Sequence, residues 1–171
     1  MMIRKKKSLL AVFLSMALLL VGCSFRYDPP SVEEANVFLA QHQEDINIIV
    51  DYLKELDYDS AFVDKDNGEI FYEFEYHKIE SKDVKTGIRH LWSSGCEHIS
   101  IQKEDNTIYF EIWSRTMGDV DCGISCTIDG NGYPKVQFQT ECEPIFEGWF
   151  YYFADYEEYR ANRSKYDEMW R

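Results

Sequence analysis

Apolar residues in this chain are spaced in two different ways, and the change from one spacing to the other limits its fold more than any other feature. Val32, Ala35, Phe38, His42, Ile46, Ile49, Leu53 and Leu56 recur every three or four residues. That spacing lines up one face of a helix. From Cys96 onward the apolar residues instead alternate with polar ones. Ile99 and Ile101, then Ile108, Phe110 and Ile112, then Ile124, Cys126 and Ile128, then Val136 and Phe138 form successive rows. A period of two is the mark of strands with one face buried. The chain is therefore predicted to be α+β, with an N-terminal helix and a second helix on an antiparallel sheet of about five to seven strands, and a short C-terminal helix.

Local signals place the elements. Ser31-Val-Glu-Glu34 is a capping box, so the first helix should run from Val32 to Leu56, with an interruption near Gln43. Ala61 to Val63 reads as a short strand. Asn67-Gly68 offers a hairpin turn, and Ile70 to His77 alternates as one strand. The acidic run from Asp64 has its glycine one position too early for a calcium loop, and no helix flanks it. Ser81 caps a second helix with Val84, Ile88, Leu91 and Trp92 on one face, and His90 on the solvated side. A meander follows, turning at Asp105-Asn106 and Asp129-Gly-Asn-Gly132, with Thr116 to Asp121 as a connection. Trp149 to Phe153 reads as a last strand buried on both faces, and Asp155 as the cap of the terminal helix.

The first residues are of another kind. Arg4, Lys5, Lys6 and Lys7 precede an apolar run from Ser8 to Val21, about fourteen residues against the roughly twenty that span a bilayer. The run closes on Leu20-Val21-Gly22-Cys23, which resembles the lipobox of bacterial lipoprotein signal peptides. The resemblance implies removal of residues 1–22, acylation of Cys23, a tether over 23–30 stiffened by Pro29-Pro30, and one globular domain over 31–171. It places that domain on the extracytoplasmic side of a cell membrane, held by its lipid. The leader carries four of the eighteen Lys+Arg and none of the thirty-one Asp+Glu, so the remaining chain has a net charge of −17. Such a surface repels phosphate backbones, and nucleic acid is not an expected partner. The element order also resembles the cystatin-like and small envelope-lipoprotein architectures, in which a helix packs across a curved sheet.

Beyond Cys23 stand Cys96, Cys122, Cys126 and Cys142, an even number that reads as disulfides outside the cytoplasm. If Ile124 faces Thr140 in the meander, Cys122 faces Cys142. That would leave Cys96 with Cys126; the alternative is Cys96 with Cys142 and a small Cys122–Cys126 loop. No zinc, nucleotide or hydrolase motif is present, and no metal or cofactor is expected. Cys96-Glu97-His98 sets a thiol and an imidazole two residues apart, on one face if the strand is extended. Trp149, Tyr151, Tyr152, Tyr156 and Tyr159 are the candidate binding patch, since tyrosine and tryptophan join apolar area to a polar end. The expected function is binding of an envelope or secreted protein. The alternatives are a small-ligand receptor and a hydrolase using His98 or His77 with nearby acids.

Overall fold

The structure, a computed structural model, describes residues 28–171 apart from positions 67, 116–118, 147, 170 and 171. The leader with Cys23, Asn67, Thr116 and Trp170 lie outside the described residues.

The first helix, α1 (Val32–Glu55), begins at the expected capping box, with the Glu34 amide donating to Ser31 Oγ and the Ser31 amide to the Glu34 carboxylate. It runs without a break through Gln43, because nothing near that residue removes a backbone donor. Strands β1 (Ser60–Val63), β2 (Ile70–Tyr72) and β3 (Glu75–His77) precede α2 (Lys82–Ser93), whose cap is Ser81. Then come β4 (His98–Gln102), β5 (Thr107–Arg115), β6 (Val120–Thr127), β7 (Gln139–Phe146) and β8 (Trp149–Asp155). The chain ends in α3 (Tyr156–Ala161), capped by Asp155 as expected, and α4 (Arg163–Met169).

All eight strands join one antiparallel sheet in the order β3-β2-β1-β4-β5-β6-β8-β7. The α+β reading holds, with one strand more than the upper expectation. The two long helices lie on one face. Ile46, Ile49 and Leu53 of α1 and Val84, Ile88 and Leu91 of α2 pack on Ile99, Ile101, Ile108, Phe110 and Ile124 of the sheet. Each such buried aliphatic contributes about 1.5–3 kcal/mol. The helices meet where Gly87 faces Asp45: a methyl there would stand 3.2 Å from the Asp45 carboxylate. One turn on, exposed His90 is tied to the same carboxylate at 3.1 Å.

Three local expectations are corrected. Ile70 to His77 is two strands, because Glu73 and Phe74 both take positive φ (48° and 66°) and turn the chain back on itself. Two such residues between paired strands form the type I′ geometry that follows the sheet's twist. Val136 and Phe138 belong to no strand; the chain stays irregular from Ile128 to Phe138, and β7 starts at Gln139. Most consequential, β7 does not return beside β6. β8 takes that place, with Ile124 opposite Tyr151, and β7 pairs on its far side. Strand β8 is the most apolar of all, so a central position buries it on both sides. Strand β7 carries Glu141, Glu143 and Pro144, residues that suit an edge.

Candidate functional site

The β8 insertion separates one expected cysteine pair. Cys122 faces Phe153 and Cys142 faces Tyr152, with β8 running between them, so they are not opposite one another. Cys122 and Cys126 lie four residues apart in one extended strand, roughly 13 Å, too far to bond. Among the described residues all four are free thiols. Burial pushes each of them up to about 12, which leaves almost no nucleophilic thiolate at neutral pH.

Cys96 and His98 do not share a face. The chain has not yet entered β4 at Cys96, whose amide still donates to Leu91 O at the end of α2. Its side chain drops into the helix-side core, while His98 turns to the opposite face across from Glu111. His77 stacks on Tyr72 at 3.6 Å, and its partner Ile70 belongs to the helix-side core, so the two histidines lie on opposite faces too.

That opposite face has a chemistry of its own. Tyr76, Phe71, Phe62, His98, Tyr109 and Tyr152 form a continuous row of rings across the strands, each centroid 4.9–5.8 Å from the next. The row comes from register: Tyr76 pairs with Phe71, Phe71 with Phe62, and Tyr109 lies beside Ser100 and Ser125. At the β2–β3 end the rings meet solvent. Phe62 and Phe71 are half-buried, Tyr76 is 51% exposed, and Phe74 at the turn is 93% exposed.

Acids gather beside the middle of the row. A bulge in β5 between Glu111 and Trp113 lies opposite Gly123, where a methyl group would come within 1.9 Å of Phe110 O. Only glycine allows strands that close, and the pairing of Glu111 with Gly123 puts it on the face that carries Asp121, two residues along β6. Burial, and then the charge of Glu111, raises the Asp121 carboxyl to about 7. Burial likewise raises Glu111 and lowers His98. Glu97 at the margin accepts from Ser114 Oγ at 2.7 Å.

Toward β8 the same face becomes a cavity of about 950 Å³, roofed by the 135–139 segment and the two terminal helices. Tyr156 and Tyr159 of the expected patch line it. Trp149 and Tyr151 face the helix-side core, and Tyr152 is the fully buried end of the row. The five therefore form no single patch. What the sequence reading missed were Phe62, Phe71 and Tyr109, which join the row only through pairing between distant strands. Among the described residues no group of three or more His, Cys, Asp and Glu is placed to hold a metal, and no helix is long and apolar enough to cross a membrane. Compared with protein families, curated proteins and solved structures, the chain matches none.

Proposed function

We propose that this chain is a lipid-anchored domain on the extracytoplasmic side of a cell membrane, held through Cys23, and that it acts by binding an envelope or secreted protein. The anchor rests on Leu20-Val21-Gly22-Cys23 after its cationic and apolar run. The binding reading rests on one observation: the ring row reaches solvent at Tyr76, two residues along from the fully open Phe74 at the turn. Exposed contiguous rings of this kind mark interaction surfaces more often than plain solvated ones. Asp64, Asp66 and Glu69 lie beside Tyr76, and Glu73 precedes Phe74 in the turn, so the fitting partner presents apolar side chains flanked by lysine or arginine.

Cross-linking in intact cells, with a carboxy-terminal tag on the full chain, tests both parts. The wild type should capture one abundant protein. Cys23→Ala should lose it by releasing the domain from the membrane, and a Phe71→Ser/Tyr76→Ser pair should lose it while staying membrane-bound. Equal capture by the ring variant would remove the surface from the argument; equal fractionation of Cys23→Ala with membranes would remove the anchor.

A further inference from the structure

Independently of any protein partner, we propose that the cavity between the sheet, the 135–139 segment and the terminal helices binds an anionic saccharide: a sugar ring carrying a carboxylate or a phosphate. Three features converge there. The first is charge. In a chain this acidic, Lys135, Arg160 and Arg163 all line one cavity. Arg163 is shared with Asp167 at 3.4 Å, whereas Lys135 and Arg160 have no side-chain hydrogen-bond or ion-pair partner among the described residues. Arginine forks and lysine ammonium groups hold carboxylates and phosphates through charge-assisted hydrogen bonds.

The second is the wall. Phe138 meets Tyr156 at 4.8 Å and Tyr159 at 5.7 Å, and Tyr159 stacks on Tyr166 at 5.9 Å. Phe138 is held at φ 61°, in the left-handed region that a side chain of its size rarely enters. Its carbonyl accepts from the Asp155 amide and so fixes the ring against the cap of α3. Flat rings on one side of a wet cavity offer the stacking surface that the apolar face of a sugar uses.

The third is the remaining polar lining. Gln102, Gln137 and Asp105 stand among the rings and can take ligand hydroxyls, which an aromatic acid would lack. Asp167, paired with Arg163 and bonded by the Tyr159 hydroxyl at 2.5 Å, offsets that guanidinium, which leaves Lys135 and Arg160 as the cations facing a ligand. The volume falls within the roughly 300–1,000 Å³ of small-ligand sites.

Calorimetric titration of the full chain in detergent tests this, with glucuronic acid and glucose 6-phosphate as the two anionic arms and glucose and benzoate as controls. Saturable binding of at least one sugar acid is expected, about tenfold tighter than either control. The preferred arm identifies carboxylate or phosphate. A Lys135→Gln/Arg160→Gln pair, both solvent-facing, should weaken that arm about tenfold with an unchanged melting temperature. Absence of binding by both sugar acids, equal binding of glucose, tighter binding of benzoate, or an unaffected double variant would each overturn the proposal. None of these readings involves Phe71 or Tyr76, so the protein-binding surface stands or falls separately.

Discussion

The two faces of this sheet share a backbone and almost nothing else. The helix face is aliphatic and dry, built from Ile99, Ile101, Ile108 and Ile124 under two long helices. The other is aromatic and ionisable: rings from Tyr76 to Tyr152, His98 among them, flanked by Glu111 and Asp121. Because strand side chains alternate, a single stretch such as Ile108-Tyr109-Phe110-Glu111 serves both. The contrast teaches a division of labour: one face holds the fold, which leaves the other free to keep charges, strain and open rings.

The strongest way to break that division is to cut each face equally. Ile99→Ala should cost about 2–5 kcal/mol, since it empties a fully buried site, and Phe62→Ala about 1 kcal/mol, since its ring is half-buried. Urea unfolding measures both; equal losses would mean that the ring row is a second core. A subtler probe is pH. Asp121 holds its proton more tightly folded than unfolded, so its stabilising effect is complete below about 4 and is lost as pH rises through about 7. Asp121→Asn should therefore gain up to about 4 kcal/mol relative to wild type at pH 8 and little at pH 4. A difference that does not vary with pH would show that the carboxyl is not held in its neutral form. The smallest effect concerns the turn. Replacing Glu73-Phe74 by Asn-Gly should raise stability by about 0.5–1 kcal/mol, because those residues enter positive φ freely. If it also abolishes partner capture, Phe74 is kept for contact at the expense of the fold.

Much of the helix face was legible. The helical spacing of α1 and α2, both serine caps and the parity of the central strands reflect local rules, and they hold. The ring face was not, because its members come from six strands and meet only through pairing. The order of β7 and β8 marks the boundary. The meander assumed that neighbours in sequence pair in space, yet Pro144 with Glu141 and Glu143 already argued for an edge, and the run from Trp149 to Phe153 for a centre. The turn at Glu73-Phe74 gave no such sign, since neither residue belongs to the usual turn set.

The place of β8 also sets a timetable. Strand β6 has no outer neighbour until residues 149–155 exist, so a chain delivered amino terminus first carries an open, apolar edge from the completion of β6 at Thr127 until β8 follows. On the proposed export route that edge crosses the membrane before its cover does. Closure of the sheet is then an event of the last moments after release, and truncation near residue 148 should yield aggregates rather than a smaller domain.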